Sequence, residues 1–551
     1  MGRIWNRIGY GLRGYGDRRV LLLLPLGFGS GVPLLLVLST LTVWLTEAGL
    51  TKAGIGLFAW VGIAWAFKYL WAPLVDALPI PWLGRVLGQR RSWMLVGQLA
   101  IAGALWALSF QNPLESVGMV ALWAVIVAFA SSTYDIALDA WRVESLDDDL
   151  QGNGSSLVQL GYRIAMLLTG AGALWLASWL RQDSEVGTQV ARSVVRSAAQ
   201  AAERVAGSSA STAVSVPNLH MVEVVWPTVY RVMGSLMFVA VVATLFASEP
   251  GARRVRAAAG ELLLWSRHPE LRVSRLMLRL PGPLQRAADA VVAPFVAFFT
   301  ARNSLGGAAL VLLFVLLFKL SDSVAGNLMN PFLVEIGFAY GQIAAIQKVF
   351  GTVATIVGTF AGGTLYRAFG VKRALWIAGI LQVASNLMFV YQARAGADPV
   401  ALHLTIGVEN LSGGLGAGAF VAYLSSLCSL RYSATQYALL SSLAMVGRTL
   451  VAGSVGFVAD RWGWEVYFIF STVIGIPGLV ALWLLGRSEL ASVAPLPDAT
   501  IGPEGPTGPT AQPAPAVQPA PAVQSEPTAQ PGAPRAATNG RTSDPVESSG
   551  K

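Results

Sequence analysis

Cysteine is nearly absent from this 551-residue chain, where Cys428 stands alone. One thiol excludes an intramolecular disulfide and any cysteine-based metal site. Histidine is scarce too: His220, His268 and His403 do not make a histidine-rich metal centre. Charge is thin, with 13% of residues charged against 54% hydrophobic. That balance belongs to membrane proteins rather than to soluble domains. No G-x-x-x-x-G-K-[ST] loop occurs, which argues against ATP-driven pumping and leaves ion coupling as the expectation. A cleavable signal peptide is not expected, because the first apolar run is long and flows into a second. No arrangement of nucleophile, base and oxyanion donors is recognisable. The chain is therefore not expected to be an enzyme, nor to need a cofactor, a metal, a nucleic acid or an obligate protein partner.

What the chain does have is apolar runs near the spanning length of about 20 residues. They fall at about 20–45, 54–75, 93–110, 117–140, 156–179 and 222–246, then at about 305–328, 342–366, 374–392, 401–427, 435–458 and 466–486. The reading is an all-α polytopic membrane protein of twelve spans in two groups of six. Its parts are a basic N-terminus (1–19), a first half (20–246), a linker (247–304), a second half (305–486) and a Pro/Ala-rich tail (487–551). The tail repeats P-A-P-A-V-Q in tandem and has little to bury, so disorder is expected there. The long gap at about 180–221 reads as a surface amphipathic helix followed by a Ser-rich loop. Within the linker, L-M-L-R-L and V-V-A-P-F-V-A-F-F read as helices.

Charge placement orients the chain. Arg3, Arg7, Arg13, Arg18 and Arg19 precede the first span, Arg85, Arg90 and Arg91 follow the second, and Arg367, Lys372 and Arg373 follow the eighth. Arginines also crowd the linker. The positive-inside rule then places both termini in the cytoplasm. The second and eighth gaps resemble each other: each ends a helix in a tight loop and begins another with basic residues. That repetition suggests two related halves moving around a midplane site.

The most informative stretch is F-A-S-S-T-Y-D-I-A-L-D-A-W-R at 129–142. Asp135 and Asp139 are four apart and share one helix face. A carboxylate near the bilayer centre costs roughly 2.5–3.5 kcal/mol on insertion scales, so this face meets protein or water. Two readings stand: structural charges matched to Arg142, or a site that takes up and releases a proton. In the second reading the pair titrates as a unit, with Asp135 as the proton site and Asp139 as a gating partner to Arg142. Lys68, Arg163, Lys319, Asp322, Lys348, His403, Glu409 and Arg448 also fall within spans. Facing lipid unpaired they would cost on the order of 20 kcal/mol together. They are therefore expected to face a cavity or one another. Lys319 and Asp322, three apart, suit a local ion pair. Aromatic side chains, among them Tyr134, Tyr162, Trp44, Trp60 and Trp65, are candidates to stack on sugar rings.

Several stretches resemble the AmpG muropeptide permeases of the major facilitator superfamily. They are G-F-G-S-G-V-P-L (27–34), F-K-Y-L-W-A-P-L-V-D (67–76), D-I-A-L-D-A-W-R (135–142), L-G-Y-R (160–163), F-K-L-S-D (318–322), A-T-I-V-G (354–358), E-N-L-S-G-G (409–414) and S-A-T-Q-Y-A-L-L-S (433–441). Order and spacing agree over about 20–485. Acetyl-coenzyme A transporters share the fold family. The resemblance implies the major facilitator fold. It also implies proton-driven import of N-acetylglucosaminyl-1,6-anhydro-N-acetylmuramyl peptides across the inner membrane, for wall recycling and, in some bacteria, β-lactamase induction. Such a ligand calls for cations and amides, which Lys319, Lys348, Arg163, Arg448, Asn410 and Gln159 supply, with Tyr134 and Tyr162 as aromatic faces. Glu409 and Asp322 join the Asp pair as proton-coupling candidates, and Lys68, Asp76 and Arg142 are expected to gate. The sequence departs from the family in its polar tail, its long 180–221 gap and Ser321, where the family tends to have Gly. An acyl-coenzyme A or drug carrier and a non-transporting membrane sensor are the competing expectations.

Overall fold

The structure, a computed structural model, describes residues 2–182, 221–250, 291–299 and 305–488. The surface helix expected within 180–221, the L-M-L-R-L helix and the tail lie outside the described residues. The V-V-A-P-F-V-A-F-F stretch is helical at 291–299, as its apolar spacing suggests. No strand occurs among the described residues.

A short helix, α1 (Gly2–Arg13), precedes α2 (Arg18–Glu47). Asp17 sets the boundary: its carboxylate accepts from the Arg19 amide at 2.7 Å and caps the free amides of the first turn. Segment 52–77 is helical only in pieces, at Lys52–Leu57, Ile63–Ala66 and Ala72–Ala77. Then come α3 (Gln89–Ser109), α4 (Val117–Ser145), α5 (Asp148–Arg181) and α6 (Met221–Phe246). The second set is α7 (Gly306–Glu335), α8 (Gly341–Phe369), α9 (Val371–Ala395), α10 (Pro399–Ser426), α11 (Ser433–Ser454) and α12 (Gly456–Arg487). Gly463, at φ 78°, breaks α12 early, so its first turns extend α11. Nine helices among the described residues are long and apolar enough to cross a membrane. With α10, α11 and the broken segment 52–77, each expected span has a helical counterpart.

The two loops that looked alike in sequence differ in length but end alike. Residues 78–88, with a short helix at Leu83–Leu87, separate the helices in the first, and Gly370 alone does so in the second. Gly88 (φ 87°) and Gly370 (φ 80°) each stand immediately before a helix that starts with basic residues. That left-handed backbone turns the chain sharply at little cost only without a Cβ.

Small residues let helices close on one another. A Cβ on Gly27, Gly31 or Gly161 would overlap backbone between α2 and α5, and one on Gly358, Gly362 or Gly414 would overlap backbone between α8 and α10. Lipid supplies no hydrophobic drive between helices, so close backbone packing of this kind holds them together. One apolar core lies in the first half, around Trp44, Trp141, Trp226, Tyr134 and Tyr230. Two further cores lie in the second half, one around Phe314 and Phe420 and one around Phe332 and Phe389.

Candidate functional site

The halves meet along a seam at the end of the bundle that carries the N-terminus and the basic loops. Asp76, at the end of the broken segment, reaches the N-terminus of α11. Its carboxylate accepts from the Thr435 amide at 2.8 Å, the Thr435 hydroxyl at 2.6 Å and the Ala434 amide at 3.3 Å. A helix N-terminus presents unpaired amides and partial positive charge, so a carboxylate suits it. Arg90 completes the cluster. It is fully buried and donates to Asp76 Oδ1 at 2.5 Å and to Glu144 Oε1 at 2.6 Å. Ser433 Oγ, from the other half, donates to the same Glu144 oxygen at 2.5 Å. Farther along, Arg142 donates to Ser425 Oγ at 2.7 Å, and its guanidinium lies 5.0 Å from the Tyr437 ring centroid. Ser155 Oγ donates to the Gly418 carbonyl at 3.1 Å, and Ser156 Oγ to the Thr359 carbonyl at 2.8 Å. Asp149 pairs with Arg367 at 3.0 Å. A carboxylate–guanidinium network away from water has to be dismantled before this end can open.

Behind the seam, between the halves, lie two adjoining chambers. One of about 320 Å3 is lined by Ser30, Lys68, Asp135, Asp139, Arg142 and Tyr162 from the first half and by Phe420, Tyr437 and Ser441 from the second. The other, about 690 Å3, is lined by Arg163, Asp322, Asn327, Thr355, Glu409 and Asn410. Gln159, Lys319 and Ala417 border both. Volumes of this size are those of small-molecule sites.

The geometry of the first chamber follows from helix phase. Asp135, Asp139 and Arg142 lie along one stripe of α4 and line the chamber together. Ser30 Oγ donates to Asp135 Oδ1 at 2.5 Å. Asp139 sits between two cations, with Lys68 Nζ at 3.7 Å and Arg142 Nη2 at 3.4 Å. In the second chamber Lys319 Nζ donates to Asp322 at 3.1 Å, to Gln382 Oε1 at 3.0 Å and to the Gly413 carbonyl at 3.0 Å. The local ion pair expected from the three-residue spacing is present. Asn410 donates to Glu409 at 2.7 Å and accepts from Thr355 at 2.8 Å. The Arg163 Nε is buried and has no hydrogen-bond partner.

The structure thus gathers Lys68, Asp135, Asp139, Arg142, Gln159, Tyr162, Arg163, Lys319, Asp322, Glu409 and Asn410 around the chambers. Asp76 lies apart from them, in the seam. Lys348 and Arg448 stand on α8 and α11, but their side chains lie outside the described residues. Tyr134 requires correction. Adjacent to Asp135 in sequence, it points a helical step away, is fully buried and donates to the Leu26 carbonyl at 2.7 Å. It is a core side chain, not a chamber wall. Trp44 is likewise buried, donating to the Val222 carbonyl.

Sequence reading missed Arg90 and Glu144 as functional groups. Arg90 looked like one of many topogenic charges, and its companion Glu144 lies just past the Asp135/Asp139/Arg142 stripe. Ser30 and Thr435 lie in stretches that carry the family resemblance but were not singled out within them, while Gln382 and Ser425 carry no sequence signal beyond being polar within or beside apolar runs.

Two solved major facilitator transporters share the helical fold. The transporter FucP, in an outward conformation, aligns over 86% of this chain and 99% of its own with a TM-score of 0.56 at 14% identity. The proton:xylose symporter XylE aligns over 88% of this chain and 96% of its own with a TM-score of 0.52 at 12% identity. A family model described as acetyl-coenzyme A transporter 1 matches residues 19–116. The anhydromuropeptide permease of Escherichia coli K12 is 34% identical over 473 residues, covering 86% of this chain and 80% of that one. The Rickettsia felis protein AmpG 4 is 31% identical over 473 residues, covering 98% of its length. The chain belongs to the AmpG family of major facilitator transporters. It is a multi-pass membrane transporter of small molecules and not an enzyme.

Proposed function

We propose that this transporter imports anhydromuropeptides across the bacterial inner membrane, coupled to protons, by alternating access. The substrate class follows the family, and the chambers suit it. A disaccharide peptide carries carboxylates, amides and sugar faces. Arg163, Lys319, Gln159 and Asn410 supply donors, and Tyr162 supplies an aromatic face beside them. Lys348 and Arg448 complete the proposed substrate contacts. Coupling is assigned to Asp135, with Asp139 exchanging between Lys68 and Arg142 as a gate, and with Glu409 and Asp322 as the acids across the cavity. Protonating Asp135 turns one of its oxygens from acceptor to donor and removes its charge beside Lys68 and Asp139.

The observation that carries this reading is a carboxylate pair lining one chamber and a cation–amide cluster lining the adjoining one, behind a charged seam. By the positive-inside rule the seam is cytoplasmic, as are both termini. The halves 20–246 and 305–486 are then the moving bodies, with 1–19, the linker 247–304 and the tail 487–551 on the cytoplasmic side. An acyl-coenzyme A substrate is the competing reading, favoured by the family-model match over 19–116.

Asp135→Asn tests the assignment, since it mimics the protonated form with little change of shape. In right-side-out vesicles it should abolish gradient-driven accumulation of labelled anhydromuropeptide while counterflow remains measurable. Full proton-driven accumulation by Asp135→Asn moves the coupling role to Glu409 or Asp322. Inhibition of uptake by coenzyme A and not by unlabelled muropeptide favours the acyl carrier.

A further inference from the structure

The first helix belongs to neither half of the transport core. In α1, Ile4, Trp5, Ile8 and Leu12 recur at helical spacing and share one face. Most of that face is not covered by protein: Ile4 is 54% exposed, Trp5 69% and Leu12 55%, while Ile8 is half-buried. Arg3, Arg7 and Arg13 occupy the remaining faces, all exposed, and no acidic residue occurs before Asp17. Only residues 14–17 separate α1 from α2, whose first turn begins a membrane span. The covalent connection therefore holds α1 at the level of the bilayer surface. A helix with an uncovered Trp/Ile/Leu face and an arginine flank at that level fits the headgroup–acyl boundary of an anionic leaflet.

The end of the same helix is wedged between the halves. The Tyr10 hydroxyl donates to Asp149 of α5 at 2.9 Å, while Arg367 of α8 donates to the Tyr10 carbonyl at 3.1 Å and lies 4.2 Å from its ring centroid. Asn153 of α5 donates to the Gly11 carbonyl at 3.0 Å. A Cβ on Gly11 would come within 2.7 Å of the Thr364 carbonyl oxygen, and one on Gly14 within 2.6 Å of both Asn153 Oδ1 and Arg367 Nη1. The Tyr15 hydroxyl then donates to the Phe360 carbonyl of α8 at 3.0 Å, with its ring 4.8 Å from that of Phe360. Residues 10–15 thus bind both halves at once, and separating the halves must detach them from one side.

We propose that α1 is a membrane-surface helix that binds anionic lipid headgroups along its arginines, and that residues 10–15 transmit this contact to the seam, so that anionic lipid favours the closed state of that end. The partner is the phosphate of an anionic glycerophospholipid in the same leaflet. Each basic residue close to such a surface is worth roughly fivefold in binding, so three together are worth about a hundredfold in the ratio of docked to undocked helix.

The test uses the full chain in a Cys428→Ala background, reconstituted into phosphatidylcholine vesicles with or without phosphatidylglycerol. A fluorophore on Ile4→Cys should be quenched by spin-labelled lipid when phosphatidylglycerol is present. The same fluorophore on Asn6→Cys, off the apolar face, should be quenched far less. The phosphatidylglycerol dependence should disappear when Arg3, Arg7 and Arg13 are all replaced by Gln. A second readout is the distance between spin labels on Arg85→Cys and Arg373→Cys, one on each half at this end. Phosphatidylglycerol should shift that distribution toward its shorter component, and the triple Gln variant should not respond. Equal quenching at residues 4 and 6, absence of quenching at 4, or energy transfer between labelled copies without lipid quenching overturns the lipid assignment. Quenching at residue 4 with a distance distribution indifferent to phosphatidylglycerol overturns the coupling to the seam. Neither readout depends on the transported substrate, so failure here is separable from failure of the muropeptide reading.

Discussion

Replacing Asp76 by Asn should loosen the seam without touching either chamber. Both oxygens of Asp76 act only as acceptors, one facing Arg90 and the Ala434 amide, the other facing the Thr435 amide and hydroxyl. An asparagine offers one acceptor oxygen and one donor NH2. Either orientation of its amide sets N–H groups against N–H groups. The loss of one charge-assisted contact is worth about 1.5–3 kcal/mol. Removal of a negative charge from the α11 N-terminus adds roughly 0.3–1 kcal/mol. Arg90 keeps Glu144, so the larger cost of an isolated buried charge is avoided. The sum, about 3 kcal/mol, falls on the closed state where the lost contact is the one to Thr435, because an open seam separates Asp76 from α11. The Arg90 contact, by contrast, lies within the first half and is common to both states. At about 1.4 kcal/mol per factor of ten, the open fraction should rise on the order of a hundredfold. Ser156, fully buried at the seam, reports the change. In a Cys428→Ala, Ser156→Cys protein, maleimide should react about a hundred times faster when Asp76→Asn is added, provided opening equilibrates faster than labelling. Equal rates in the two proteins would refute the lock and leave Asp76 a passive cap.

Further outcomes are expected at single residues. Lys319→Met should raise the apparent KM of uptake about tenfold or more, because a cation bordering both chambers is lost; unchanged affinity with lower yield would make Lys319 purely a structural partner of Asp322. Tyr134→Phe should lower thermal stability by about 1–2 kcal/mol through loss of the Leu26 bond, with apparent affinity unchanged; an altered affinity would return the ring to the site. Gly161→Leu should abolish folded yield on size-exclusion chromatography, since its Cβ would overlap the Leu24 carbonyl, whereas Gly103→Ala, with open space around it, should be neutral; a well-folded Gly161→Leu protein would contradict the tight α2–α5 contact.

The sequence by itself determined the quantities that depend on local period and length. Spans are legible because each must supply about 20 apolar residues to cross hydrocarbon, and the expected centres fall on the observed helices. Asp135, Asp139 and Arg142 are legible as one stripe because helix phase is a property of spacing alone. The left-handed turns at Gly88 and Gly370 were foreshadowed by two similar basic loops.

Only the tertiary structure decided what each face meets. Tyr134 and Asp135 are neighbours in sequence, yet one fills the core and the other lines a chamber. Arg90 was indistinguishable from an orienting surface charge until packing buried it between Asp76 and Glu144. Asp76 finds Thr435 at a separation of 359 residues. Hydropathy and periodicity record how a segment meets its solvent. The identity of the segment opposite depends on how helices close through their glycines, and that is a property of the assembled bundle.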